Sequence, residues 1–118
     1  MPIRLFHNPR CSKSRQALAL LRERGAEPEI VEYLKEPPTA AELDRLLVLL
    51  DMQPRQLMRR GEAAYKELGL DDPALSRAQL IEAMVREPIL IERPIATDGQ
   101  RAVLGRPPEK VLELVWKV

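Results

Sequence analysis

Apolar and polar positions change their period several times along the chain. Ile3-Arg4-Leu5-Phe6 alternates with a period of two, which predicts a strand over 2–7. From residue 12 the period lengthens. Ala17, Leu18 and Leu21 recur at helical spacing and predict a helix over 12–24, ended by Gly25. Ile30 and Val31 lie in a second strand candidate at 29–33. Strand, helix and strand of these lengths form a βαβ unit, whose two strands are expected to be parallel.

Lys35-Glu36-Pro37-Pro38 then interrupts the pattern, and the next fifty or so residues read as helices. Thr39 with Glu42 three positions on is a capping box, followed by an apolar stripe of Leu43, Leu46, Leu47 and Leu50. Short helices are expected over 54–60, ending near Gly61, and over 62–68. Asp71-Asp72-Pro73 reads as a turn. Ser76 with Gln79 is a second capping box, with Leu80, Ile81, Met84 and Val85 as the buried face. Residues 39–86 therefore read as a block of helices inserted into an α/β protein. Beyond it lies the apolar run Ile89-Leu90-Ile91. Asp98-Gly99 is a hairpin signal, with residues 100–104 as the returning strand. Pro107-Pro108 open a last helix, with Val111, Leu112 and Val115 expected inward. The order is β-α-β, helices, β-β-α, with no internal repeat or low-complexity stretch.

A length of 118 residues fits a single domain, 1–118, with a core that needs no disulfide. Nineteen basic and eighteen acidic residues leave a net charge of +1, so no nucleic-acid partner is expected and any electropositive site must be local. No apolar run approaches the ~20 residues of a membrane span, and the N-terminal stretch lacks the apolar run of a signal peptide. The single cysteine can form neither an internal disulfide nor a cysteine zinc site, and no metal is expected. A reactive thiol fits a reducing compartment, and hence the cytoplasm.

That cysteine sits in Phe6-His7-Asn8-Pro9-Arg10-Cys11-Ser12-Lys13-Ser14-Arg15, the turn from the first strand into the first helix. The N–H groups that open a helix have no intrahelical partner and carry the positive end of its dipole. Such a place stabilises a thiolate and binds oxyanions. Arg10, Lys13 and Arg15 add positive charge, and His7 is four residues away. A lone cysteine is more often a small buried hydrophobe, but apolar flanks would then be expected, and these flanks are polar.

The order of elements is similar to a thioredoxin-like fold with a helical insertion between its two halves. The His-Asn-Pro-Arg-Cys-Ser-x-Ser-Arg stretch resembles the glutaredoxin-linked arsenate reductase (ArsC) family, in particular its short YfgD-like chromosomal branch. The resemblance extends to Tyr33-Leu34, Pro37-Pro38, Arg59-Arg60, Glu67-Leu68-Gly69-Leu70, Arg93-Pro94-Ile95 and Gly105-Arg106-Pro107-Pro108-Glu109. It implies that Cys11 attacks the arsenic of arsenate, and that His7 and Ser14 help keep this cysteine ionised. It implies too that Arg59, Arg93 and Arg106 hold the oxyanion, in keeping with the bidentate way guanidinium groups bind such anions. Arg10 and Arg15 could add to the same pocket. Pro94 matches the proline beside the active site of thioredoxin-like folds, usually cis.

The residues alone leave blander readings open. Arg59 and Arg60 could be solvated helix charges, and spacing does not choose between them. His7 could pack against the helix start, and Ser12 and Ser14 could simply cap it. Arg93 and Arg106 lie in bends, where site residues concentrate.

Reducing arsenic from the 5+ to the 3+ state takes two electrons, and this sequence has no second cysteine. The expected reductants are therefore external: glutathione as co-substrate, with no bound cofactor, and a glutaredoxin that restores Cys11. Arginine is absent six positions after Cys11, where Ala17 stands, which argues against a phosphatase-type anion loop. Ser14 occupies the second place of a C-x-x-C spacing, which leaves at most monothiol chemistry. A non-catalytic Spx-like regulator or adaptor, or a monothiol transferase acting on another substrate, are the competing readings.

Overall fold

The computed structural model describes residues 2–115. Contacts divide the chain into two compact units, one holding the residues up to Glu36 and from Arg93 onward, the other Pro37–Glu92.

The first unit is built on a four-stranded mixed sheet, α/β in class. Its strands are β1 (Arg4–Phe6), β2 (Glu29–Val31), β3 (Ile95–Thr97) and β4 (Ala102–Leu104), in the spatial order β2-β1-β3-β4. β1 runs parallel to β2, pairing Leu5 with Ile30, and antiparallel to β3, pairing Leu5 with Ala96. β3 and β4 form an antiparallel hairpin. The alternation that predicts β1 has a physical counterpart: Ile3 and Leu5 enter a core with Ala96, Ala17, Leu21, Val111 and Leu114. Phe6, on the opposite face, is buried as well.

Helix α1 (Ser12–Glu23) covers the Leu5 face with Ala17 and Leu21. It ends in a Schellman motif: Ala26 N–H donates to the Leu21 carbonyl, Gly25 N–H to that of Arg22, and Gly25 takes φ of 80°. The β3–β4 connection is tightened by Asp98, whose Oδ1 accepts from the amides of Gln100 and Arg101. Those amides are thereby taken from the ladder, so β4 begins at Ala102 rather than at residue 100.

The last helical segment, Pro108–Leu114, is a 3-10 helix rather than an α-helix. With three residues per turn, Val111 and Leu114 share one face and are buried, whereas Leu112 and Val115 are only partly covered. Val115 still packs against the core at its edge, whereas Leu112, which an α-helical period points inward, does not join it.

In the second unit the two capping boxes form as the sequence predicts. Thr39 opens α2 (Ala40–Leu50) with Glu42, and Ser76 opens α4 (Arg77–Arg86) with Gln79. Leu43, Leu46 and Leu47 of α2 and Leu80, Ile81, Ala83 and Met84 of α4 are buried, while Leu50 and Val85 are partly exposed. An Asp44–Arg77 ion pair of 2.8 Å joins the two helices. Between them lies a short α3 (Ala63–Glu67), which keeps Tyr65 buried with its hydroxyl on Asp71.

The helix expected over 54–60 is only a 3-10 turn, Pro54–Leu57. Met58 then leaves it and pairs with Ile91 in an isolated antiparallel bridge. Pairing with a distant segment overrides local helix preference here, and the apolar run before residue 91 becomes a second 3-10 turn, Pro88–Leu90.

Candidate active site

The chain turns from β1 into α1 through His7-Asn8-Pro9-Arg10, and Asn8 organises that turn. Its carbonyl accepts from Cys11 N–H at 3.0 Å, and its Oδ1 accepts from Arg10 N–H at 3.0 Å. Its own N–H donates to Ser14 Oγ at 3.0 Å. Asn8 is not among the residues singled out from the sequence; an Asn-Pro pair just ahead of a helix is the turn signal that points to it.

Cys11 itself is the N-cap residue, in extended conformation with φ of −92° and ψ of 124°. Ser12, one of two serines that could have capped the helix, is instead its first residue and is exposed. The sulfur therefore stands where a capping oxygen usually stands. No conventional capping hydrogen bond closes in this geometry, yet the Ser14 and Lys13 amides are near enough to stabilise the ionised sulfur. These are the third and second residues of the helix, the usual donors to a cap.

Burial is the largest influence on the thiol and opposes ionisation, since Cys11 is only 9% exposed. The Ser14 amide, the Arg93 guanidinium, the Lys13 amide and the Arg106 guanidinium act against it. Together they outweigh it and hold the thiol below its ordinary range.

Arg93 and Arg106 approach from the two sides of the β3–β4 hairpin, and the backbone locks them together. Gly105 N–H donates to the Pro94 carbonyl at 2.8 Å, and Arg106 Nε donates to the Arg93 carbonyl at 2.9 Å. Arg93–Pro94 and Arg106–Pro107 are both cis. Gly105 is required by proximity, because a Cβ there would lie 2.7 Å from Pro94 Cγ and 3.1 Å from Val111 Cγ1.

His7 and Ser14 form a buried pair, Nδ1 to Oγ at 2.6 Å. Burial depresses the His7 pKa most; Glu32 opposes this, and Arg22 and Arg15 reinforce it. The imidazole is therefore neutral at pH 7. Ser14 reaches Cys11 through its backbone amide, while its hydroxyl lies against His7 and the Asn8 amide.

The turn carries two further arginines, both exposed. Arg15 Nη1 donates to the Pro9 carbonyl at 2.9 Å, and Arg10 is exposed at the surface of the turn. Neither is among the charges that depress the Cys11 thiol. Arg59 belongs to the second unit, where it makes ion pairs with Glu62 and Glu92. Arg60 is exposed.

Among the described residues no cluster of three or more His, Cys, Asp or Glu could hold a metal ion. No helix there is long and apolar enough to cross a membrane. The site is thus one ionisable sulfur, a set of N–H donors at a helix start, and two guanidinium groups from a distant hairpin. Such a set can present a nucleophile to a tetrahedral oxyanion and neutralise the charge of that anion.

Residues 6–114 match the ArsC family model. The chain is similar to an Escherichia coli protein, "Uncharacterized protein YfgD", at 54% identity over 96% of each chain. It is similar also to an arsenate reductase of Rhizobium meliloti, at 42% identity over 98% of this chain and 82% of the other. Among solved structures, an arsenate reductase from Vibrio cholerae superposes with a TM-score of 0.92 at 47% identity. That match covers 96% of this chain and 97% of the other.

Proposed function

Given that this chain belongs to the ArsC family, we propose that it is an arsenate reductase in which the Cys11 thiolate is the nucleophile. The observation that carries the reading is the position of Cys11. It caps α1, and Arg93, Arg106 and two helix amides favour its ionised form. The names of the Rhizobium meliloti and Vibrio cholerae relatives support the choice of arsenate.

The chemistry closes in three steps. The thiolate attacks arsenic, an As–S bond forms, and one oxygen leaves as water after protonation. Arg93 and Arg106 balance the charge of the arsenate oxygens. Glutathione then supplies a second thiolate, which attacks the Cys11 sulfur. The S–As electron pair goes to arsenic, which leaves as arsenite, and Cys11 and glutathione are joined in a mixed disulfide. A glutaredoxin thiolate takes the glutathione and returns Cys11 to its ionised state. Two thiols thus provide the two electrons, as a chain with one cysteine requires. Glutathione enters as co-substrate, and no bound cofactor is needed. A cytoplasmic setting would supply both reductants.

The test is NADPH oxidation coupled through glutathione reductase, glutathione and glutaredoxin, with arsenate as the variable substrate. Wild type is expected to turn over and Cys11→Ser to be inactive. Turnover by Cys11→Ser near the wild-type rate would overturn the nucleophile role. Absence of arsenate-dependent oxidation by wild type would overturn the arsenate reading.

A further inference from the structure

Helix α1 starts one residue earlier than its sequence favours. Serine is among the residues best suited to cap a helix, and Ser12 stands next to Cys11. Cys11 nevertheless occupies the N-cap, and its carbonyl already accepts the first intrahelical bond, from Arg15 N–H at 3.0 Å. Something in the turn outweighs the local preference for serine.

Asn8 supplies it. Two consecutive N–H groups lie just ahead of the helix, those of Arg10 and Cys11, and Asn8 accepts from both. Its carbonyl takes Cys11 N–H at 3.0 Å, and its side-chain Oδ1 takes Arg10 N–H at 3.0 Å. The second bond closes a side-chain turn of the kind asparagine favours. Pro9, in between, has no N–H to satisfy and a fixed φ. Asn8 is itself tied down, because its own N–H donates to the buried Ser14 Oγ at 3.0 Å. The chain up to residue 11 is thus committed before the helix begins. The amides of the second and third helical residues serve whatever stands at the N-cap. With Cys11 there, those are the amides of Lys13 and Ser14, and they serve the sulfur. With Ser12 at the cap they would be those of Ser14 and Arg15. The serine hydroxyl would then take them, and the sulfur would stand one residue outside the helix.

We propose that the Asn8 side chain is a positioning residue for Cys11. By holding Arg10 N–H it keeps Cys11 rather than Ser12 at the N-cap of α1, and so keeps the sulfur within reach of the opening amides. The proposal rests on the nucleophile role given to Cys11 above, and it adds no group to the reacting atoms. Asparagine also suits the electrostatics, because its acceptor oxygen is uncharged. An aspartate could close the same turn but would set a negative charge near the thiolate.

The pH profile of Cys11 alkylation by iodoacetamide, with urea midpoints for the same proteins, tests this on the full chain. Asn8→Ala is expected to move the profile to higher pH and to slow alkylation at neutral pH about two- to tenfold, the range set by the net contribution of one hydrogen bond. Ser12→Ala alone should leave the profile in place, because Ser12 does not cap in the wild type. Added to Asn8→Ala, it removes the rival cap, and the profile should return toward wild type. A role confined to stability would lower the urea midpoint of Asn8→Ala with the profile unmoved, and that result would overturn the proposal. So would a shift that survives in full in the double variant. Should Asn8→Ala fold poorly, Asn8→Leu, which has nearly the same shape without the acceptor, is held to the same two criteria. None of these outcomes involves arsenate. The nucleophile reading stands or falls separately, on turnover by Cys11→Ser in the coupled assay.

Discussion

Arg106 Nε donates to the carbonyl oxygen of Arg93 at 2.9 Å, so one of the two guanidinium groups that act on Cys11 is anchored to the backbone of the other. The hydrogen bond fixes the orientation of the Arg106 guanidinium relative to the Arg93-Pro94 segment. Arg106→Ala therefore loses both a charge and the anchor. Arsenate and sulfate affinity should fall about 10- to 100-fold, the range for a lost charge-assisted contact of ~1.5–3 kcal/mol. The Cys11 thiol should also titrate at higher pH. Alkylation by iodoacetamide, which is uncharged, reads that shift without involving the anion. Unchanged affinity with an unchanged alkylation profile would remove Arg106 from the site.

Gly105 holds the other half of the clasp. Its N–H meets the Pro94 carbonyl, and the space for a Cβ is already filled by Pro94 Cγ at 2.7 Å. A proline ring cannot rotate away as a flexible side-chain tip would. Gly105→Ala is expected to destabilise the fold by about 1–3 kcal/mol, as overpacking does, measured as a lower urea midpoint at unchanged slope. Because the strain falls on the Arg93-Pro94 segment, the Cys11 alkylation profile should shift in the same variant. A loss of stability without that shift would show that Gly105 serves packing alone.

Signals confined to a single turn of chain are legible in the sequence, and tertiary ones are not. The boxes Thr39/Glu42 and Ser76/Gln79 and the Gly25 stop each depend on residues within one turn of one another, and each forms. The placement of Cys11 at a strand-to-helix junction is equally local. Which residue caps is not, since Ser12 is the better cap by preference, and the Asn8 turn decides in favour of Cys11. The 3-10 form of Pro108–Leu114 changes which residues are buried, and an assumed period of 3.6 cannot anticipate that. The Glu92 carboxylate beside Arg59 depends on residue 58 finding residue 91, far along the chain, and no spacing rule announces such a pairing.

Ser14 separates two ways of acting on the nucleophile. Its hydroxyl is fully buried, accepts from Asn8 N–H and pairs with His7 Nδ1, whereas its amide is what favours the thiolate. Ser14→Ala keeps the amide and strands the other two groups. It should cost about 1–3 kcal/mol of stability, the usual penalty for an unsatisfied buried polar group. The pH profile of Cys11 alkylation should move little. A large upward shift of that profile at preserved stability would mean instead that the hydroxyl acts on sulfur directly.

The Cys11 and His7 titrations give folding stability opposite tests at the two ends of the pH range. The thiol is an acid with a depressed folded value, so the folded chain releases its proton before the unfolded chain does. Its contribution is complete above the ordinary thiol range and is lost as pH falls through the folded value. His7 is a base with a depressed folded value, so the unfolded chain takes up its proton first as pH falls. Stability should therefore decline as pH drops below about 6.5, the ordinary histidine value, until the folded imidazole is protonated too. Urea midpoints measured from about pH 5 to about pH 10 in wild type, Cys11→Ser and His7→Gln resolve the two, since that span brackets both ordinary values. Cys11→Ser should lose the rise on the alkaline side, and His7→Gln should flatten the fall on the acid side. An acid limb unchanged in His7→Gln would mean that carboxylates, not the buried imidazole, set it.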